Sequence, residues 1–419
     1  MVLTLLASCK GCDDVSKGSA DAAGPASSKV AAVVSAGPAD AGTAFADADA
    51  PFDAAVMDEP YGDAGTSSCR LVYGPAEQPF RGPAALWVVG KELRLVTNDA
   101  GEPRIYPVAI PPIPAKGAPP VVPPRPSTFT GVRWPPCELA GRFAYCQAPG
   151  GAVVRSILGS ADAEASKSIA KSRSGTRIAA AEIGQDHSVV AFLDTRHTTE
   201  GDMLQAFVAL DEHEPVRLSE DGAGATTLRF LPGGERPVAV YLDTRTSMVP
   251  VHARPLSMQN GELVLGTDAV LFVGGAPERG IDFTASSAGT KGFAFVPMPR
   301  ETLEFGMATI PIEDPPKDDV AAVWSLYPNG VDPAPIAASP SRDKTTALLV
   351  RVRPREQAPG SPRILELGRV DSGGVFTSYG EMGLGNGITD LAIIEDAAGA
   401  VWILYGSTRV TWLERRVCP

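Results

Sequence analysis

An all-β protein assembled from about seven repeated small sheets is the fold this sequence predicts, and three observations predict it. First, 43 Gly and 39 Pro in 419 residues make about a fifth of the chain, against roughly 12 % in ordinary proteins. That density breaks helices repeatedly and excludes long bundles and coiled coils. Second, short apolar runs bounded by Gly, Pro and Asp recur along the chain, at 84–89, 93–97, 188–194, 203–211, 238–243, 292–296 and 400–405. They have strand length and strand punctuation. Third, one run repeats together with its end: Val190-Ala-Phe-Leu-Asp-Thr-Arg196 returns as Val240-Tyr-Leu-Asp-Thr-Arg245, 49 residues on.

Looser copies follow at Phe293–Arg300, Leu349–Arg355 and Trp402–Arg409, so that the arginines 196, 245, 300, 355 and 409 are spaced by 49, 55, 55 and 54. Counting backward adds strand ends near Tyr145–Pro149 and Val89–Lys91, seven in all. A period near 50 with several strands per repeat is the pattern of a β-propeller. Each blade is too small to cover its own faces, so neighbours bury them around a ring. Seven blades of roughly 50 residues match the length of residues 67–419. Six blades with one decorated loop is the alternative.

The elements follow in order. Met1 to Cys9 read MVLTLLASC, and Leu6-Ala7-Ser8-Cys9 resembles the lipobox of bacterial lipoproteins, an apolar residue and two small ones before the cysteine. That resemblance implies lipidation at Cys9 after a shortened signal segment, 1–9, with eight residues and no basic one ahead of the cysteine. Residues 10–66 carry ten acids and three lysines and only Phe45, Phe52 and Tyr61 as large aromatics. Such a segment cannot bury enough surface to offset the entropy of ordering. It is expected to be a disordered linker, spanning on the order of 40 Å as a flexible coil. The propeller then occupies 67–419. Ser68–Tyr73 is expected to close the ring beside Val410–Val417, and residues 107–126, with nine prolines in twenty, to form a stiff polyproline II connection between the first two blades.

Four cysteines lie in the propeller region. Cys137 and Cys146 flank a hairpin with its turn at Ala140-Gly141, and Cys69 and Cys418 stand at the two ends of the ring. Four cysteines allow three pairings; the pairs 137–146 and 69–418 suit this fold, and closing so long a loop restricts the unfolded chain by about 5 kcal/mol in the entropic model. Zinc is the rival reading, with no CxxC among these four cysteines and no nearby histidine to support it. Disulfides place the chain in an oxidising compartment. No stretch approaches the length of a membrane span, so attachment to a membrane would be through lipid alone.

The net charge of −12 argues against nucleic acid, which needs clustered cations. His187, His197, His213 and His252 are scattered without metal spacing, and neither GxSxG, HExxH, a P-loop nor GxGxxG stands in its structural context. No catalytic residue, metal or cofactor is assigned. The LDTR run with its following strand resembles sialidase-like, BNR-type propeller repeats, and Asn386–Trp402, with its Asp, Gly and Trp, resembles two-component-regulator propellers. The first resemblance implies an arginine clamp for a carboxylate, a Tyr–Glu pair and an aspartic acid; Thr97-Asn-Asp99-Ala-Gly101 matches only the first half of that family's Asp box. A retaining sialidase-like glycoside hydrolase is therefore the alternative function. The leading expectation is a monomeric, envelope-anchored binding or scaffold protein for another envelope protein or a polysaccharide. Its candidate ligand-face residues are Asp194, Arg196, Asp243 and Arg245, with Asp194 accepting turn hydrogen bonds and Arg196 meeting a neighbouring blade's acid.

Overall fold

The computed structural model describes residues 67–419 except 133, 160–165, 173–177, 199–200, 220–223, 233–235, 244–249, 273–282, 298–303, 312–324, 329–334, 357–361 and 408. Cys9, the linker 10–66, Arg245 and Arg300 lie outside the described residues.

Thirty strands and no helix are found among the described residues. The chain enters through β1 (Arg70–Glu77) and the short β2 (Phe80–Arg81). Blade 1 is β3 (Ala85–Val89), β4 (Glu92–Asp99) and β5 (Glu102–Ala109). After a proline-rich segment comes β6 (Thr130–Gly131), then blade 2: β7 (Glu138–Ala140), β8 (Phe143–Gln147), β9 (Ala152–Ile157) and β10 (Lys167–Lys171). Blade 3 is β11 (Ala179–Glu182), β12 (Ser188–Thr198), β13 (Gly201–Leu210) and β14 (Val216–Arg217). Blade 4 is β15 (Ala225–Leu231), β16 (Val238–Asp243), β17 (Pro250–Gln259), β18 (Glu262–Leu265) and β19 (Ala269–Phe272), the last two both paired with β17. Blade 5 is β20 (Thr284–Ala288), β21 (Lys291–Pro297), β22 (Glu304–Pro311) and β23 (Ser325–Pro328). Blade 6 is β24 (Ile336–Pro340), β25 (Thr346–Pro354), β26 (Arg363–Asp371) and β27 (Phe376–Leu384). Blade 7 is β28 (Asp390–Glu395), β29 (Val401–Gly406) and β30 (Thr411–Val417), completed by β1 in the order β1-β30-β29-β28.

The first strands of successive blades touch one another in turn, from β3 through β7, β11, β15, β20, β24 and β28 back to β3. The ring therefore closes on seven blades with the first strands innermost. Seven apolar layers match the seven blade junctions. Leu93 and Leu95 meet Trp402 and Leu404 between blades 1 and 7, for example, and Phe293 and Phe295 meet Leu349 and Val370 between blades 5 and 6. This explains why the second strands read as unbroken apolar runs. In β12, Val189, Ala191 and Leu193 face blade 4 while Val190 and Phe192 face blade 2. Period 2 persists in direction, but both directions are core.

Ring closure follows the expectation. β1 runs antiparallel to β30, Arg70 opposite Val417 and Glu77 opposite Trp412. The Cys69–Cys418 disulfide ties that seam, and Cys137–Cys146 joins the start of β7 to β8 across the predicted hairpin. At Gly74, φ is +80° and an added Cβ would stand 2.5 Å from the Leu413 carbonyl oxygen, so only glycine lets β1 lie this close to β30.

Two expectations are corrected. The blade 1 counterpart of the repeated strand end is not Val89–Lys91, which ends the first strand. It is Asn98-Asp99, which ends the second strand β4. Blade 1 has three strands, and the proline-rich segment takes up the length a fourth would use. Nor is that segment a plain link between blades 1 and 2. It doubles back along the outer edge of blade 7, where Pro111 O accepts from Arg415 (2.6 Å), Pro114 O from Arg70 (3.1 Å), and Val121 exchanges backbone bonds with Val72 and Gly74. Past the turn at Ala115–Ala118, Pro120, Pro123 and Pro126 are half-buried and the residues between them exposed. A burial repeat of three is the period of a polyproline II helix lying on a surface.

Candidate functional site

The turns between second and third strands share one rim of the ring, here called the upper rim, and the turns between first and second strands share the lower. Strands β12 and β13 are the longest adjacent pair, and their hairpin carries Asp194, Arg196 and His197 toward the upper rim. The LDTR sequence is therefore strand rather than turn: Asp194 faces Gln205, Arg196 faces Met203, His197 faces Asp202 and Thr198 faces Gly201. Asp194 accepts from the Thr195 amide (2.9 Å) and pairs with Arg196 of its own strand (3.0 Å), not with an acid of another blade. The Arg196 guanidinium lies over the Phe207 ring, 4.9 Å from its centre. His197 Nδ1 bonds Asp202 at 2.9 Å, with their side chains 85 % and 72 % exposed. The hairpin end thus presents a cation on an aromatic ring and an exposed His–Asp pair.

Of the second LDTR run only Leu242 and Asp243 are described, and Asp243 is placed differently from Asp194. Asp243 ends β16, is buried, and accepts from the Gly224 amide at 3.2 Å. It serves the loop from blade 3 and does not stand on the open face beside Asp194 and Arg196.

Three of the four histidines hold an aspartate on Nδ1: His187 with Asp211 (2.7 Å), His197 with Asp202, and His252 with Asp268 (2.9 Å). This orients each ring through Nδ1, as a catalytic base is oriented. A side-chain nucleophile activated by such a ring would sit on Nε2. At the lower rim, Ser188 instead joins Tyr145 (2.6 Å) and Asp211, the acid rather than the base. Burial pushes the Tyr145 phenol up to about 12. Burial also raises the Asp211 carboxyl, but hydrogen bonds from His187 and Ser188 and the nearby Arg155 outweigh it and hold the group below its ordinary range. His252 is buried and stacks on Tyr241 at 4.6 Å, both bonded to the same Asp268 oxygen. These are packing networks across the strands and between blades 2 and 3.

The arginines of the blade 6 copy are occupied. Arg351 and Arg353 both donate to Glu366 (2.7 and 2.9 Å), Ser378 bonds its other oxygen, and Arg355 pairs with Glu381. Burial raises Glu366, and the Arg351 charge with the Arg353 and Ser378 hydrogen bonds more than reverses it. Three guanidiniums already bonded to acids do not form an open carboxylate clamp. Tyr405 and Glu414 do meet, at 3.5 Å, yet both are buried inside blade 7 beside Arg416.

The two partial motifs are turn devices. In blade 1 the turn acceptor is Asn98, whose side chain takes the Gly101 amide (2.7 Å), rather than Asp99. In blade 7, Asp396 accepts from the Ala398 and Ala400 amides, the Trp402 indole (2.9 Å) and Arg415 (2.7 Å). The Asp, Gly and Trp spacing is the trace of that buried node. Among the described residues no group of three His, Cys, Asp or Glu is placed to hold a metal ion, and no helix is long and apolar enough to cross a membrane.

No family model matches the chain, and no curated protein does. Solved structures with a similar course include the Aleuria aurantia lectin bound to Fucα1-6GlcNAc, at 12 % identity over 67 % of this chain and 94 % of that one, TM-score 0.38. The N-terminal domain of Nup159 overlaps 81 % of this chain and 90 % of its own at 11 % identity, TM-score 0.41. The Trypanosoma rangeli sialidase with 2,3-difluorosialic acid overlaps 85 % and 58 % at 9 % identity, TM-score 0.39. With values this low, the blade order rests on the strand pairing itself.

Proposed function

We propose that the chain is an exported, membrane-anchored binding or scaffold protein that presents its upper rim to another envelope protein or to a polysaccharide. The observation that carries this reading is the blade 3 hairpin, with Arg196 on Phe207 and the exposed His197–Asp202 pair. These groups bind polar partners well. A rigid ring holds that hairpin in one place, which lowers the ordering cost of association. The disulfides support an oxidising destination, and the lipobox-like Leu6–Cys9 supports an anchor at Cys9.

The test is affinity capture with the full chain as bait against solubilised envelope proteins and polysaccharides, alongside an Arg196→Ala/His197→Ala/Asp202→Ala variant. A single species recovered by the parent and reduced at least tenfold with the variant is the expected result. Equal recovery by both proteins removes the hairpin from the binding surface and overturns this assignment.

A further inference from the structure

The proline-rich strap, residues 110–131, is the most unusual surface of the ring. Among the described residues four of the eight exposed large apolar ones belong to it: Ile113, Val121, Val122 and Phe129, with Val122 the most exposed of the eight at 63 %. The strap contains Lys116 and Arg125 and no acid, in a chain whose net charge is −12. Arg125 touches Glu77 at 3.4 Å yet stays 68 % exposed, and Arg81, from β2, lies over the Phe129 ring at 5.9 Å. Apolar side chains and cations are therefore mixed along the exposed part of the strap.

Its backbone suits an apolar contact. Prolines have no N–H, so a segment this rich in them brings few donors that would lose hydrogen bonds on leaving water. In the stretch 120–126 Pro120, Pro123 and Pro126 are turned toward the protein, while Pro119 and Pro124 are exposed beside Val121, Val122 and Arg125. What faces outward is a mixture of prolines, branched apolar side chains and cations. That is the composition of segments that rest in the headgroup region of anionic bilayers.

Position adds to composition. The strap runs beside β1, the strand by which the chain enters the ring from the linker 10–66 and Cys9. We infer that the strap is a membrane-docking surface that seats the propeller edgewise on an anionic lipid bilayer, a second attachment beside the lipid on Cys9. A single acyl chain holds a protein only marginally, and a cationic apolar patch is a usual second attachment.

This inference rests on the anchored reading above, so the test removes the anchor from every arm. The full chain carrying Cys9→Ser is sedimented with vesicles of phosphatidylcholine alone or mixed with phosphatidylglycerol. Binding to the mixed vesicles only, weakened by 0.5 M salt (about a 4 Å Debye length), is expected. Val122→Asp should abolish it, and Lys116→Gln/Arg125→Gln should weaken it by about fivefold per cation. Both variants must keep the parent's circular dichroism and melting temperature, which their exposed positions favour; Val121→Ser replaces either one that does not. Failure to bind mixed vesicles, or undiminished binding by the folded variants, overturns the inference. So does capture of an envelope protein through these residues without vesicle binding. Lipidation at Cys9 is read separately, from the mass of the chain extracted from membranes, so either reading can fail without the other.

Discussion

At the scale of single residues, the buried charges do more to specify geometry than to bind. Asp396 satisfies two turn amides, an indole and a guanidinium while fully enclosed with Arg415, whose second nitrogen reaches across to the strap at Pro111. Asp396→Ala leaves Arg415 buried without its counter-charge and is expected to cost about 3–5 kcal/mol, read as a lower urea midpoint. Tyr145 gives a pH signature. Its neutral phenol is favoured in the folded state, with a value of about 12 against about 10 in the unfolded chain. Its contribution is therefore intact below pH ~10 and lost as pH rises through the folded value. Tyr145→Phe should flatten the fall in melting temperature on that alkaline limb while costing about 1 kcal/mol at neutral pH. Glu366 has the opposite sign. Its carboxyl is held below its ordinary value by Arg351, Arg353 and Ser378, so its contribution is present above pH ~4 and fades as pH falls through the folded value. Glu366→Gln should be strongly destabilised at pH 7 and lose less on acidification than the parent.

At the scale of elements, the strands were legible and their sides were not. The run 238–243 coincides with β16, and 188–194 is the core of the longer β12. An apolar residue on one face of a strand looks the same in sequence as one on the other face when both are buried. For the same reason LDTR reads as a turn: polar residues following an apolar run usually mark its end. In blade 3 the hairpin instead continues past the core to Thr198. The pairing of His197 with Asp202 follows from a tight hairpin, whereas the His187–Asp211 and His252–Asp268 pairs join residues 24 and 16 apart through the sheet and leave no local signal. The strap's stiffness was evident from its prolines, but not its seat on blade 7, which depends on Arg70 and Arg415 finding its carbonyls. Val121 supplies the one strap amide that bonds to β1, through Val72 O. Val121→Pro keeps the extended backbone and deletes that donor. A loss of about 1 kcal/mol by urea unfolding, with faster hydrogen exchange at the adjoining Gly74 amide, is the expected outcome.

At the scale of the whole molecule, stability depends on a seam. Six blades are continuous in the chain, and the seventh joins the chain's two ends where β1 pairs with β30 and Cys69 with Cys418. Cys69→Ser/Cys418→Ser lengthens the unfolded chain's free loop and is expected to lower stability by about 5 kcal/mol in the entropic model, less any compensation in the unfolded state. Hydrogen exchange should show β1 opening before the other strands; uniform loss across the blades would mean that the disulfide does not guard the seam. The amino-acid sequence by itself determined the all-β class, the period near 50 and the ring closure by the first strand, and it favoured 137–146 with 69–418 among the three cysteine pairings. All of these follow from local punctuation and repeat spacing, which survive without contacts. Only the tertiary structure decided that Asp194 and Arg196 belong to an exposed hairpin while Asp243 is buried, that three histidines hold aspartates, and that the proline strap lies on the last blade. Those outcomes depend on which distant side chains meet across a blade or a junction, and identical local sequences, as the two LDTR runs demonstrate, meet different neighbours.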